Sequence, residues 1–276
     1  MSLPAIHRPA VLIVSASLRE AREQRKVGLR QLARQLGMSP ARLSGLELAT
    51  HIAHPPDVAH ILGFLGIGGA EHEQIMKLAK HAYDANFIAQ HDTQAFSLMW
   101  TYEQLSDRIV EWAPSSLPEL LRPQQHFERV LGGDEKMSGL GELEPLERSV
   151  RQQTMQDGRR RYLFLIGEEA VRTASNEVDA DERIQRLRSA AQLHHVSVRI
   201  VPTTATGLNP PPAFTLFEVG RAPVAATFKH VHCTAYITEK PLLDGYLGTS
   251  NALQRQALSD SATVDTLNHT ERSQAS

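Results

Sequence analysis

Basic side chains are concentrated in one short stretch of the chain. Seven lysines and arginines fall between Arg19 and Arg42, against the acidic residues Glu20 and Glu23. Residues 1–70 carry eight basic and four acidic residues, a net charge of +4, whereas the remainder carries 21 and 27, a net charge of −6. Because guanidinium groups neutralise phosphates and hydrogen-bond base edges, a basic module on an acidic body indicates a nucleic-acid ligand. A solvated helix face is the alternative interpretation.

A second group of chemically capable residues consists of His230, His232 and Cys233. Imidazole and thiolate are the ligands that zinc prefers. In a strand, however, His230 and His232 share one face while Cys233 points to the other, which leaves two ligands on one side. A metal-responsive protein therefore stays open as an alternative to surface histidines and one buried thiol, and we assign no metal site.

The sequence contains no pattern that favours catalysis. It has neither a Gly-x-Ser-x-Gly nucleophile elbow nor a phosphate-binding loop that ends in Lys-Ser/Thr. Glu168 and Glu169 follow a predicted strand, where acidic residues suit the start of a helix. We therefore expect a protein that is not an enzyme and that needs no cofactor.

Two short helices and a tight turn position the basic residues. The first helix has apolar residues at helical spacing: Leu29, Leu32, Ala33 and Leu36. Gly37 suits the left-handed turn that follows, Ser39 can cap the second helix, and Pro40 suits its first position. The second helix turns Leu43 and Leu46 inward. Four residues are left facing away from the core: Ala41, Arg42, Ser44 and Gly45. This pattern predicts a helix-turn-helix, which places one helix in the major groove of DNA.

The wider pattern predicts an α+β protein of two domains. Residues 11–82 form an all-α helix-turn-helix domain of about five helices, the first over 15–26. Residues 83–258 form a helical segment, mostly helical over 83–160, plus an α+β dimerisation or effector domain with an antiparallel sheet. The predicted strands cover 162–166, 196–201, 214–219, 224–228 and 234–238. The polar residues 259–276 are expected to be a disordered tail.

Composition indicates where the protein is located in the cell and whether it can bind a small molecule. Cys233 is the one cysteine, so no intramolecular disulfide can form, which is typical of an intracellular protein. The apolar run 11–14 is too short for a signal-peptide core or a membrane span, so we expect a cytoplasmic protein without membrane contact. Six aromatic residues can line a pocket for a small-molecule effector or simply form core: Trp100, Trp112, Phe164, Phe214, Phe217 and Phe228.

Two sets of residues point to a family. The first set is Leu18-Arg19, Arg22-Glu23, Leu32-Ala33, Leu36-Gly37-Met38-Ser39, Leu43-Ser44 and Leu46-Glu47. Through these, residues 15–67 resemble the Cro-type, or XRE, helix-turn-helix of phage and bacterial repressors. The second set is 117–123, Phe127, Arg148, Arg151-Gln152, 164–172 and 198–202. It resembles the domain that follows such a motif in a large group of actinomycete regulators.

The resemblance implies a transcription regulator that binds double-stranded DNA, usually as a homodimer and often beside a small partner protein. It also implies an ion pair between Arg22 and Glu47 that joins the first helix to the recognition helix.

The chain departs from the family at the positions that read bases. These positions hold Pro40, Ala41 and Gly45, none of which can make a bidentate contact with a base. Arg42 is the residue of this surface with a strong donor fork. At the start of the preceding helix, where the family often has a polar residue that contacts a phosphate, this chain has Leu29. Three other residues of that helix can contact phosphates instead: Arg30, Gln31 and Arg34. We favour phosphate contact with Arg42 as the sole base reader and DNA shape as a further source of selectivity. A protein-interaction or anti-regulator module with a degenerate motif is the alternative.

Overall fold

The computed structural model of the protein describes residues 7–90, 93–122, 143–175, 180–206, 210–230 and 233–274. Over 7–82 it describes five helices: α1 (Pro9–Gln24), α2 (Leu29–Gln35), α3 (Pro40–Glu47), α4 (Pro55–Phe64) and α5 (Gly69–Lys80). The predicted all-α region at the start of the chain is therefore confirmed. Its first helix begins at Pro9 instead of residue 15, because a proline is well placed in the first turn, where its missing N–H is not needed.

The second part of the chain is built on a sheet with seven strands among the described residues: β1 (Asn86–Gln90), β2 (Arg108–Ala113), β3 (Arg161–Gly167), β4 (Val196–Val201), β5 (Phe214–Val219), β6 (Ala222–Lys229) and β7 (Cys233–Ile237). Their order is β1-β7-β6-β5-β2-β3-β4. The first four pairings along this order are antiparallel, and β2–β3 and β3–β4 are parallel. The predicted α+β fold is confirmed, and the sheet, which was predicted to be antiparallel, is mostly so.

Seven α-helices accompany the sheet in the described part of the chain: α6 (Thr93–Leu105), α7 (Leu143–Gln156), α8 (Glu168–Ser175), α9 (Ala180–Ala191), α10 (Thr203–Thr206), α11 (Lys240–Gln256) and α12 (Asp260–Gln274). Leu243 and Leu253 of α11 join a cluster with Trp112, Leu165 and Leu216 of the sheet. The opposite face of the sheet packs in the larger apolar cluster, which also includes residues of the N-terminal helices. None of the described helices is long and apolar enough to cross a membrane.

The prediction that residues 83–160 are mostly helical is wrong in two places, β1 and β2. Ile109 and Trp112 are three residues apart, a spacing that suits a helix, but both lie in β2. Strand β2 is hydrogen-bonded on both sides, to β3 and β5, and apolar clusters cover both of its faces. A strand that is buried on both faces shows no alternation of apolar and polar residues, so periodicity alone cannot separate it from a helix.

The prediction of a disordered tail over 259–276 is also wrong, because α12 occupies most of it. Its sequence is polar, but Thr263 and Leu267 are fully buried where α12 packs against α9 and β4. The hydroxyl of Thr263 accepts a hydrogen bond of 3.2 Å from the backbone N–H of Ile200. Two buried side chains and this bond anchor a helix that composition alone does not reveal.

Helix α1 connects the two parts of the molecule. Its residues Pro9 to Ser15 are all buried, as expected of a helix segment that is apolar on every side. It packs on α3, α4 and α5 and also on α6 and β1. The Tyr102 hydroxyl of α6 donates a hydrogen bond of 2.7 Å to the carbonyl of His7, two residues before α1. One apolar cluster therefore runs from the N-terminal helices to the sheet.

Candidate nucleic-acid interface

Helices α2 and α3 form the predicted helix-turn-helix. Leu32, Ala33 and Leu43 are fully buried, so the two helices share the core beneath them. Gly37 has φ 64°, the left-handed conformation that the turn requires. Ser39 caps α3, since its hydroxyl accepts a hydrogen bond of 3.1 Å from the N–H of Arg42. This local structure fixes the direction of α3 and therefore the direction of its exposed face.

The structure brings Arg22 and Glu47 together. Nε and Nη2 of Arg22 donate to the two carboxylate oxygens of Glu47, each at 2.8 Å. The Glu47 side chain is 2 % exposed and that of Arg22 12 %. The hydrogen bonds that Arg22 donates to Glu47 raise the pKa of Arg22. Arg22 also donates to the carbonyl of Val27 at 3.1 Å, so this one side chain ties α1 to α3 and to the segment before α2.

Arg42 lies on the exposed face of α3 and pairs with Asp57, in the first turn of α4. Its Nη2 donates to the two oxygens of Asp57 at 2.9 and 3.1 Å. The Arg42 side chain is 56 % exposed. Nε and Nη1 make no hydrogen bond with any residue that the structure describes, so most of the donor fork is available to a ligand. Asp57 holds the guanidinium in place, which the sequence did not predict.

Gly45 was predicted to face away from the core, and the structure shows that it is nevertheless closed to solvent. Gly45 is buried, because the chain turns back after α3 and lays the His51 ring over it. A Cβ atom built on Gly45 would lie 2.9 Å from Cε1 and 3.1 Å from Cγ of that ring. Ala49, with φ 54°, makes the backward turn. The position near the middle of the recognition helix is thus covered by a side chain from the following loop.

The other predicted contact residues lie at the surface of the same region. Ser39, Pro40 and Ala41 are exposed at the start of α3, and Ser44 is half-buried. Three residues of α2 are exposed: Arg30, Gln31 and Arg34. The guanidinium groups of Arg30 and Arg34 form no ion pair within the described ranges. The surface of α2 therefore presents two cations, Arg30 and Arg34, that no described residue neutralises.

Sequence reasoning missed two residues of this surface, Asp57 and His51. Asp57 follows two prolines, a signal that indicates the first turn of a helix but not a partner on α3. For His51, a glycine in the middle of α3 is a hint that something approaches the helix closely. Neither signal identifies the approaching side chain.

The alternative metal ligands do not form a site in the part of the chain that is described. His230 is exposed and Cys233 is half-buried, while His232 lies outside the described residues. Within the described ranges, no group of three histidine, cysteine, aspartate or glutamate side chains can hold a metal ion.

Comparison with known proteins agrees with this two-part organisation. A family model described as a helix-turn-helix domain matches residues 14–75, which include α2 and α3. No curated protein and no solved structure matches the chain. A second family model, described as a domain of unknown function (DUF5753), matches residues 96–269, more than half of the 276 residues. The chain therefore belongs to the DUF5753 family and carries a helix-turn-helix domain before it.

Proposed function

We propose that the protein is a transcription regulator of the Cro-type, or XRE, class that binds double-stranded DNA with α3 in the major groove. The observation that carries the proposal is the exposed face of α3. There Nε and Nη1 of Arg42 bond to no described residue, and Arg30 and Arg34 of the neighbouring α2 form no ion pair within the described ranges. The regulator acts in the cytoplasm. It carries out no catalysis.

In this proposal the residues divide into two roles. Arg30, Gln31 and Arg34 contact phosphates, which supplies affinity and orientation without sequence information. Arg42 contacts a base, with guanine as the natural partner for a guanidinium fork. Asp57 supports that role, because a side chain already held in one place loses less entropy when it binds.

We further propose that the regulator is a homodimer and that the sheet domain receives a signal. One short recognition helix supplies little affinity, and two symmetric half-sites are the usual remedy. The DUF5753 domain is the part available for dimerisation and for an effector or a small protein partner. The size of the complex on DNA, measured by analytical ultracentrifugation, tests the dimer.

The test of the main proposal is DNA binding by the full chain, followed by fluorescence anisotropy at several salt concentrations. The probes are the promoter upstream of the gene itself and a scrambled duplex of equal length. We expect a preference for the promoter. We expect Arg42→Ala to remove most of it, with a loss of about 1–3 kcal/mol, the value of one good base contact. Arg172→Ala is the matched control, since Arg172 is exposed on α8, outside the helix-turn-helix, and pairs with Glu169.

Weak and equal binding to both duplexes would contradict the proposal of a base-reading regulator. In that case the module with a degenerate motif becomes the better explanation, and a protein partner should be sought. A change in DNA affinity or in thermal unfolding on addition of zinc would instead favour the metal-responsive alternative.

A further inference from the structure

The exposed face of α3 contains an imidazole that does not belong to the helix. Gly45 follows Ala41 by four residues and Arg42 by three, so all three positions lie on one side of the helix. The ring of His51 occupies the place where a side chain at position 45 would begin. His51 therefore lies beside Ala41 and Arg42 on the outward face of the recognition helix.

The loop brings this ring to the helix and contacts one of its nitrogens. The carbonyl of Gly45 accepts hydrogen bonds from the backbone N–H groups of Thr50, at 3.0 Å, and of His51, at 3.1 Å. The Thr50 hydroxyl lies 3.3 Å from the same carbonyl and 3.3 Å from Nδ1 of His51. Nε2 has no partner among the described residues, and the residue is exposed. One ring nitrogen is thus engaged by the loop, and the other is left for a ligand.

We infer that His51 is a specificity-determining residue that contacts a base edge in the major groove. The inference rests on the proposed function and extends it, because Arg42 then has a second base reader beside it. Nε2 can donate to O6 or N7 of guanine, or accept from the amino group of adenine or cytosine, depending on the tautomer. The glycine at position 45 is what lets the ring lie this close to the helix.

Gly45 also supplies a way to displace the ring without changing His51. An alanine methyl at position 45 would meet the ring at distances no side chain tolerates, and the exposed imidazole is the part that can move. His51→Ala removes the ring, Gly45→Ala pushes it aside, and the double variant does both. His81→Ala is the matched control, since His81 is an exposed histidine at the end of α5.

The experiment is selection of bound duplexes from a library with a randomised centre, using the full chain and each variant. Affinities for the best duplex and for its single-base-pair changes are then measured at several salt concentrations. We expect His51→Ala to reduce discrimination at one base pair by about tenfold and to leave the salt dependence unchanged, because no phosphate contact is lost. In the Gly45→Ala background, His51→Ala should have no further effect.

Three results would overturn the inference. One is unchanged discrimination in His51→Ala while the full chain still selects DNA, which leaves the proposed function intact. A second is a uniform loss of affinity with a smaller salt dependence, which would make His51 a phosphate contact. The third is an equal effect of His51→Ala in both backgrounds. If the unaltered chain selects no sequence at all, the proposed function itself fails. Thermal unfolding of each variant identifies any that is not folded.

Discussion

At the scale of single residues, Glu47 is the clearest case of a charge that depends on one partner. Its side chain is 2 % exposed, and Arg22 satisfies both of its oxygens. A carboxylate so far removed from water is costly when its cation is missing, and far less costly when the cation is present. The pair is therefore a structural requirement of the N-terminal helices.

Replacement of Arg22 by methionine tests this requirement. We expect Arg22→Met to lower the free energy of unfolding by about 3–5 kcal/mol, because Glu47 is left buried without a counter-charge. Chemical denaturation of the full chain gives the value. Arg19→Met is the control, since Arg19 pairs with Glu23 across an exposed surface and its loss should change little. Unchanged stability together with lost DNA binding in Arg22→Met would contradict the structural role.

The residue scale also shows where prediction from the sequence ends. The Arg22–Glu47 pair was implied by the family resemblance, because both partners lie on predicted helices whose packing the family shares. The contact between His51 and Gly45 was not implied, because it depends on a loop that turns back at Ala49 with φ 54°. A positive φ at a residue other than glycine has no reliable signal in the sequence.

At the scale of elements, Gly37 and Gly45 serve the helix-turn-helix in opposite ways. Gly37 lies in the turn with φ 64°, and a Cβ there would touch nothing. Gly45 lies inside α3, where a glycine costs more entropy on folding than an alanine would. The first glycine is needed by the backbone, and the second weakens the helix that contains it.

Two glycine-to-alanine variants should therefore change stability in opposite directions. We expect Gly37→Ala to lower the free energy of unfolding by about 1–2 kcal/mol, the cost of a left-handed residue with a Cβ. We expect Gly45→Ala to raise it by about 0.5–1 kcal/mol, provided that the His51 ring moves aside. Thermal and urea unfolding of the full chain measure both changes. A loss of stability in Gly45→Ala would mean that the ring cannot move and that the helix is displaced instead.

The prediction of elements succeeded where periodicity was unambiguous. Helices α2 and α3 and the alternating strand β4 follow directly from their residue patterns. Strand β2 was missed because its burial on both faces removes the alternation that identifies a strand. Its pairing with β3 and β5 is set by contacts between residues distant in the chain, which a local pattern does not contain.

At the scale of the whole molecule, helices α1 and α12 contribute to the same apolar cluster. Leu267 is fully buried in that cluster, and its carbonyl accepts a hydrogen bond of 2.7 Å from Arg188 of α9. Residues 259–276 were predicted to be disordered because their composition is polar. Composition does not show that one leucine, Leu267, lies where it can join the core. The cluster, and not the helix propensity of this segment, explains why it is ordered.

Truncation of this leucine should destabilise the entire chain and not the tail alone. We expect Leu267→Ala to lower the free energy of unfolding by about 2–5 kcal/mol, because it leaves a cavity in the core. Because the cluster is continuous with α1, the helix-turn-helix should unfold in the same transition. Differential scanning calorimetry measures this, with Asn268→Ala as the control, since Asn268 is the exposed neighbour. A second transition that stays at the original temperature would contradict a shared core.

Helix α1 is buried against both the N-terminal helices and the sheet domain, and this limits how the helix-turn-helix can be transferred to another protein. A DNA-binding domain that is joined to the rest of its protein by a flexible linker can be transferred to another protein as a unit. In this chain, truncation after α5 would expose the side of α1 that packs on α6 and β1. The isolated N-terminal fragment would then carry an exposed apolar surface that favours aggregation. Selectivity for a new sequence is therefore more accessible by point substitution on α3 and its following loop than by transfer of the whole module.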